Sequence, residues 1–168
     1  MNNEWETPEW LFQPIAHQYG LTFDACASAE NYKLPNYFTK EQDALTIDWY
    51  ETAVKNDLPP RFWMNPPYST GMQDAFLAKA RAEAKRGCLV VALIVADLST
   101  GYWNQHVMKA NEIWAVNKRI AFGGSTSAAR FSNAVAIYLP KVEVLYPAFK
   151  TMFAKELYDA YKNKTNQT

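Results

Sequence analysis

The segment Arg61-Phe62-Trp63-Met64-Asn65-Pro66-Pro67-Tyr68-Ser69 leads from an apolar, strand-like run into a turn with two consecutive prolines. Each proline fixes its own φ angle and removes a backbone donor, and the first one also pushes Asn65 out of helical geometry. The turn is therefore stiff, and its carbonyl groups are left as acceptors. With the side-chain oxygen of Asn65 and the flat ring of Tyr68, it matches a planar amino group such as that of adenine. The alternative is an ordinary proline turn after a strand.

Around this turn, helical and strand-like segments alternate, which predicts an α/β fold with a mainly parallel, doubly wound sheet in a single domain, 1–168. The predicted helices cover 7–19, 72–86, 99–110 and 147–162, with a turn or helix at 43–50. The predicted strands cover 21–24, 36–38, 62–64, 88–96, 113–116, 119–122 and 133–139. We expect the last two to form a C-terminal antiparallel pair joined by a Gly/Ser loop.

Polar side chains follow three of these strands. Asp24, Asn65 and Asp97 each come directly after a predicted strand. In doubly wound sheets, ligands bind beyond the carboxyl ends of the strands. We therefore expect these three residues along one edge of the sheet, where a cofactor and a substrate would meet.

Composition restricts the class of protein. Seventeen basic and seventeen acidic side chains balance, which weighs against nucleic-acid binding by bulk charge but leaves room for a local basic patch. The two cysteines, Cys26 and Cys88, have neither metal-ligand nor disulfide-framework spacing, so we expect a reducing compartment and no metal site. The polar start predicts no signal peptide, and the apolar run over 88–96 is too short to span a bilayer.

Further motifs lie on both sides of the proline turn. They are Trp5-Glu6-Thr7-Pro8, Phe23-Asp24-Ala25-Cys26-Ala27-Ser28, Asn36-Tyr37-Phe38-Thr39, Asp43-Ala44-Leu45 and Arg119-Ile120-Ala121-Phe122. With these motifs, the chain resembles the phage-type DNA N6-adenine methyltransferases (Dam-type) of the S-adenosylmethionine-dependent, Rossmann-like class. The resemblance runs from Trp5 to about Tyr138. It departs from the family at the first loop, where Ala25 and Ala27 replace the usual Gly-x-Gly, and no target-recognition domain is inserted.

The resemblance implies methyl transfer from S-adenosylmethionine to the N6 amine of adenine in DNA, with the base rotated out of the duplex. The implied catalytic residues are Asn65, Pro66, Pro67 and Tyr68. In this interpretation, the Asn65 oxygen and the Pro66 carbonyl accept hydrogen bonds from the amine, and Tyr68 stacks on the base. The implied cofactor-binding residues are Trp5, Thr7, Pro8, Asp24, Ala25, Cys26, Asp43, Ala44, Leu45 and Asn65.

Several of these residues also have a purely structural interpretation. Thr7 and Asp43 are suited to be helix N-caps, Asp24 to cap a loop, and Trp5 to fill the core. Capping and cofactor contact can coexist at Thr7, so both interpretations stay open.

The expected partner is double-stranded DNA, bound by a protein without membrane or metal partners, for which a monomer is favoured. The residues expected at the DNA are Tyr68, Lys118, Arg119, Ser127 and Arg130. The last four flank or belong to the loop Gly123-Gly124-Ser125-Thr126-Ser127, which is suited to follow phosphates. A flexible hairpin loop with solvated charges is the alternative. We interpret a second basic cluster, at 79–86, as a solvated helix face.

Three functions stay open from the sequence. The first is DNA adenine-N6 methylation, which is favoured by the presence of Asn, and not Ser, at the start of the proline motif. The second is the same chemistry on cytosine N4, RNA adenine or protein glutamine. The third is a non-catalytic nucleic-acid-binding module on this fold, which the intact Asn-Pro-Pro-Tyr motif argues against. The resemblance also suggests a phage or prophage protein in the cytoplasm of a bacterial host, where it protects or marks the genome, as in restriction-modification.

Overall fold

The computed structural model of the chain describes residues 5–123 and 125–166, in which helices alternate with strands. Gly124 of the predicted DNA loop and the polar start 1–4 lie outside the described residues. The helices are α1 (Glu9–Tyr19), α2 (Trp49–Lys55), α3 (Met72–Arg86), α4 (Gly101–Gln105) and α5 (Ala154–Thr165). The strands are β1 (Phe23–Ala27), β2 (Asn36–Thr39), β3 (Arg61–Met64), β4 (Leu89–Val95), β5 (Glu112–Val116), β6 (Asn133–Tyr138) and β7 (Ala148–Met152).

The strands form one seven-stranded sheet in the order β2-β1-β3-β4-β6-β5-β7. β2, β1, β3 and β4 are parallel neighbours, and β7 is parallel to β5. β6 alone runs the other way, antiparallel to both β4 and β5. This arrangement confirms the predicted α/β class and agrees with a Rossmann-like methyltransferase fold. The parallel strands place their carboxyl ends at a common edge of the sheet.

The sheet separates two apolar layers, so β4 is buried on both faces. Val90, Ala92 and Ile94 enter the layer that also receives α2 and α3. Val91 and Leu93 enter the opposite layer, which contains residues of α1 and α5. A strand covered on both faces has no reason to alternate apolar and polar residues, which is why this run is continuously apolar.

The antiparallel partner of β6 was predicted wrongly. β6 pairs with β5 and β4, whereas the described residues 119–122 lie in an irregular loop. Ile120 and Phe122 are buried, and Arg119 is exposed, so the segment alternates like a strand. Both edges of β6 are already occupied, however, and the segment is held instead by the bond from Ala129 N to the Ile120 carbonyl (2.8 Å).

Other boundaries also differ from the sequence prediction. The predicted helix over 147–162 begins as edge strand β7, whose partner is β5, and becomes helical only at Ala154. The predicted helix over 99–110 is split into α4 and a short 3-10 turn, Val107–Lys109. The N-cap of α1 is Pro8, not Thr7. None of the helices in the described part of the chain is long and apolar enough to cross a membrane.

Candidate active site

A cavity of about 550 Å³ lies at the carboxyl ends of β1, β2 and β3. Its volume is within the range of small-molecule sites, roughly 300 to 1,000 Å³. The lining comes from the segments 5–7, 24–28, 38–40, 43–44 and 65–67, together with Asn31, Lys33, Trp63, Ser69, Met72 and Phe76. Asp24 and Asn65, two of the three residues predicted to meet at this edge of the sheet, therefore line one cavity. Asp97, the third, is not among the lining residues, and its carboxylate accepts hydrogen bonds from Ser99 N (3.0 Å) and Ser99 Oγ (2.6 Å).

Asp24 organises the wall formed by β1 and the loop that follows. The residue is 3% exposed, and β1 continues past it to Ala27, so the prediction that it ends the strand was wrong. Its two carboxylate oxygens accept hydrogen bonds from the backbone N–H groups of Cys26 (3.1 Å) and Lys33 (3.0 Å). Burial raises the pKa of Asp24 to about 6, although both N–H groups and the Lys33 ammonium act in the opposite direction.

Lys33 is a cavity residue that the sequence interpretation missed. Its side chain is 7% exposed, and its ammonium binds the carboxylates of Glu6 (3.1 Å) and Glu9 (2.7 Å). These ion pairs attach the loop after β1 to the N-terminal segment and to α1. A single lysine in a polar loop has no pattern that distinguishes it from a solvated charge, so no sequence signal could have identified it.

Asn65 is held by the N-terminal segment. Its side-chain Nδ2 donates to the Trp5 carbonyl (2.6 Å) and to Thr7 Oγ1 (3.2 Å). Its Oδ1 accepts a hydrogen bond from the Tyr68 hydroxyl (2.9 Å). Both amide hydrogens are thus used, which fixes the orientation of the group, while Oδ1 keeps a second lone pair. Thr7 is buried and serves Asn65 rather than the end of a helix.

Tyr68 belongs to an aromatic cluster and is not among the residues that line the cavity. Its ring makes edge contacts with Phe131 (5.2 Å between centroids) and Phe122 (6.1 Å). Trp5 lies nearly parallel to it, at 6.1 Å and 26°. Burial raises the pKa of the Tyr68 hydroxyl well above its ordinary value, so the hydroxyl stays protonated and can donate. Stacking of Tyr68 on a base stays a prediction.

The wall formed by β2 and the turn after it contains part of the predicted set. Asp43 and Ala44 line the cavity. Asp43 has a left-handed backbone conformation (φ 52°), and its carboxylate accepts a hydrogen bond from the Leu45 N–H (3.2 Å). Leu45 and Pro8, which were predicted to bind the cofactor, do not line the cavity. Leu45 packs against the apolar layer that contains α2 and α3, and Pro8 is the N-cap of α1. Phe38, which the site prediction omitted, does line the cavity and is 5% exposed.

The remaining wall residues surround the proline turn. Ala25, Cys26 and Pro67 line the cavity, and so does Pro66, which is buried. Burial, together with the nearby Asp24 carboxylate, raises the pKa of the Cys26 thiol well above its ordinary value. The thiol is therefore neutral at physiological pH and is a poor nucleophile.

The residues predicted to contact DNA lie outside the cavity. Lys118, Arg119, Ser127 and Arg130 are all exposed. Their loop begins near the cavity, because Gly123 N donates to the Glu6 carbonyl (3.0 Å) and Glu6 lines the cavity. A polymer bound along this loop would therefore pass close to the cavity.

The basic cluster on α3 is only partly the solvated face that we predicted. Lys79 is 18% exposed and pairs with the buried Glu83 (2.7 Å). Lys85 and Arg86 are exposed and pair with Glu143 and Asp48. Within residues 5–123 and 125–166, no group of three or more His, Cys, Asp or Glu side chains is arranged to hold a metal ion.

Comparison with known proteins places this chain in a family. A family model described as "DNA N-6-adenine-methyltransferase (Dam)" matches residues 1–167. The DNA N-6-adenine-methyltransferase of Haemophilus phage HP1 (strain HP1c1) is 34% identical over 146 residues, which cover 82% of this chain and 79% of the phage protein. YfdM of Escherichia coli (strain K12), named as a candidate methyltransferase, is 32% identical over 69 residues, 40% of this chain and 74% of that protein.

The raised pKa of Asp24 predicts a pH-dependent stability. The folded state holds the Asp24 proton more tightly than the unfolded chain, in which the pKa of this carboxyl is 3.8. The stabilisation of the folded state by protonated Asp24 is therefore fully present below pH 3.8 and is lost as the pH rises through about 6. Between pH 5 and pH 8 this loss should be about 1.4 kcal/mol. We expect the free energy of unfolding of Asp24→Asn, relative to the wild type, to rise by that amount over this interval in urea titrations. A difference that stays constant with pH would show that Asp24 titrates like an exposed carboxyl group.

Proposed function

This chain belongs to the DNA N-6-adenine-methyltransferase (Dam) family, so it is an enzyme that methylates the N6 amine of adenine in DNA, and we propose that the cavity beside Asn65 is where the methyl group is transferred. The observation that carries the proposal is the fixed Asn65 amide. Its Nδ2 is anchored on the N-terminal segment, and its Oδ1 keeps a lone pair for a substrate.

The cavity suits S-adenosylmethionine as the methyl donor. The donor carries a sulfonium and an ammonium cation, and the carboxylates of Asp24 and Asp43 line the cavity. Ala25 presents only a methyl group where a close approach to the backbone is needed, and Phe38 offers an apolar surface to a purine ring. When bound, S-adenosylmethionine supplies an electrophilic methyl group.

Two acceptors are suited to hold the adenine amine. One is Asn65 Oδ1, and the other is the Pro66 carbonyl, which accepts no hydrogen bond from any of the described residues. Accepting both N–H bonds aims the amine lone pair at the methyl group and localises it on the nitrogen instead of in the π system of the ring. Alignment supplies most of the remaining acceleration. No strong base is required, because the nitrogen loses its proton after it has become cationic.

The concave site requires the adenine to leave the duplex. Asn65 lines a cavity, and the edge of a stacked base cannot reach such a position. In this proposal the base enters between the proline turn and the loop that begins at Gly123. The exposed Lys118, Arg119, Ser127 and Arg130 then contact the phosphates of double-stranded DNA. In this proposal the displaced base packs against the aromatic cluster around Tyr68.

Replacing Asn65 with Ala should abolish methyl transfer while the donor still binds. A hydrogen bond aimed at the transition state is commonly worth about 100-fold to 1,000-fold in kcat. Transfer of labelled methyl groups to adenine-containing duplexes measures kcat, and calorimetry with S-adenosylmethionine measures donor binding and shows that the variant is folded. The matched control is Asn31→Ala, which removes the same side chain from another wall of the cavity and should keep its turnover. Near-normal turnover of Asn65→Ala would refute the assignment.

Replacing Arg119 and Arg130 together with Ala should weaken DNA binding and leave the affinity for the donor unchanged. If each arginine neutralises one phosphate, the slope of log affinity against log salt should become shallower by about 2. Fluorescence anisotropy with a labelled duplex at several salt concentrations measures both quantities. The control is Lys85→Ala with Arg86→Ala on α3. If the control variant loses DNA affinity and the Arg119 and Arg130 variant does not, the DNA lies on the other side of the protein.

A further inference from the structure

We propose that Asn133 is a positioning residue for methyl transfer, because it orients the Tyr68 hydroxyl so that this hydroxyl donates to the catalytic Asn65. The inference rests on the proposed role of Asn65. It assigns a task to a residue that neither the sequence motifs nor the cavity lining includes.

Asn133 opens β6 at the edge of the sheet where the cavity lies. It pairs with Val95 at the carboxyl end of β4 and is 1% exposed. Its Nδ2 lies 3.1 Å from the Ile94 carbonyl and 3.4 Å from the Tyr68 hydroxyl oxygen. A carbonyl can only accept, so the side-chain atom that faces Ile94 must be the nitrogen. The second hydrogen of that nitrogen is then directed to Tyr68.

The direction of this bond decides where the proton of Tyr68 goes. The hydroxyl oxygen accepts from Asn133, so its own hydrogen is free to point to Asn65 Oδ1, 2.9 Å away. Asn65 is thereby held from two sides, by Trp5 and Thr7 at its nitrogen and by Tyr68 at its oxygen. One lone pair of Oδ1 is fixed by Tyr68, and the other keeps a defined direction toward the cavity.

The cost of keeping an amide at this position supports a functional role. Asn133 Oδ1 is a buried atom without a hydrogen-bond partner among the described residues, and such an orphan acceptor lowers stability. The other positions of β6, 134–138, are buried, and all but Tyr138 are purely apolar. An apolar residue would therefore suit the strand better than the amide does.

Asn111 shows how a structural asparagine differs in this protein. It is 7% exposed, close to Asn133 in burial, but both ends of its amide are satisfied. Its Nδ2 donates to the Val142 carbonyl (3.1 Å), and its Oδ1 accepts from Leu139 N (2.7 Å). These bonds tie two loops together at the other end of β6, where the strand leaves the sheet.

A double-mutant cycle between Asn133 and Tyr68 tests the proposal. We expect Asn133→Leu to lower kcat about tenfold, the effect of losing one well-placed hydrogen bond. The dissociation constant for S-adenosylmethionine and the KM for a DNA duplex should stay unchanged. In the Tyr68→Phe background, which lacks the hydroxyl but keeps the ring, Asn133→Leu should cause no further loss. Asn111→Leu, the matched control, should lower the melting temperature and leave kcat unchanged in both backgrounds.

A second variant covers the case in which Asn133→Leu does not fold. Asn133→Ala has no donor for the Tyr68 hydroxyl and matches the small residues already present in β6, so it should show the same loss of kcat. Equal losses of kcat in the wild-type and Tyr68→Phe backgrounds, or a changed KM with normal kcat, would overturn the proposal. If Asn65→Ala proved active, the proposed function itself would fail. If Asn65→Ala is inactive and the cycle is additive, only the role of Asn133 is refuted.

Discussion

The hydrogen bonds from Asn65 Nδ2 to the Trp5 carbonyl and to Thr7 Oγ1 join the proline turn to residues that lie 60 and 58 positions earlier in the chain. The rest of the site depends on this junction. The same short segment binds Lys33 through Glu6 and receives the Gly123 N–H, so it connects the cavity wall, the proline turn and the start of the loop at Gly123. A flexible amide would offer oxygen and nitrogen to the substrate equally, and only the oxygen can accept from an adenine amine.

The sheet makes this junction possible. Because β1 and β3 are parallel neighbours, the loop after β1 and the proline turn after β3 leave the sheet side by side. The helix α1 packs on the face that also receives Trp63, which brings the residues just before the helix to the same edge. Burial then raises the pKa of Asp24, a carboxyl that braces the loop on two backbone N–H groups. The geometry of the site thus follows from strand order and from the two apolar layers.

Much of the fold and of the candidate site could be predicted from local sequence patterns. The features that could not be predicted share one cause, which is that they depend on contacts between distant segments. The continuous apolar run of β4, the amphipathic α3 and the proline turn carry their structure in their own residues. The segment 119–122 alternates like a strand, but its place beside β6 is taken by β5, a competition that no local window reveals. Lys33 and Asn133 are single polar residues whose roles arise only when distant segments meet. Tyr68 belongs to the proline motif, but its ring lies in an aromatic cluster with Trp5, Phe122 and Phe131, which no local pattern predicts.

The anchoring of Asn65 by the N-terminal segment is tested most directly by the single-turnover rate of methyl transfer in Thr7→Val, measured at saturating S-adenosylmethionine. Valine keeps the shape of the buried side chain and removes one of the two acceptors for Asn65 Nδ2, while the Trp5 carbonyl stays in place. If Thr7 orients Asn65, the rate constant at saturation should fall about tenfold while the affinity for the donor is retained. A normal rate at saturation with weakened donor affinity would contradict this, because it would make Thr7 a contact of the donor and not a residue that orients Asn65.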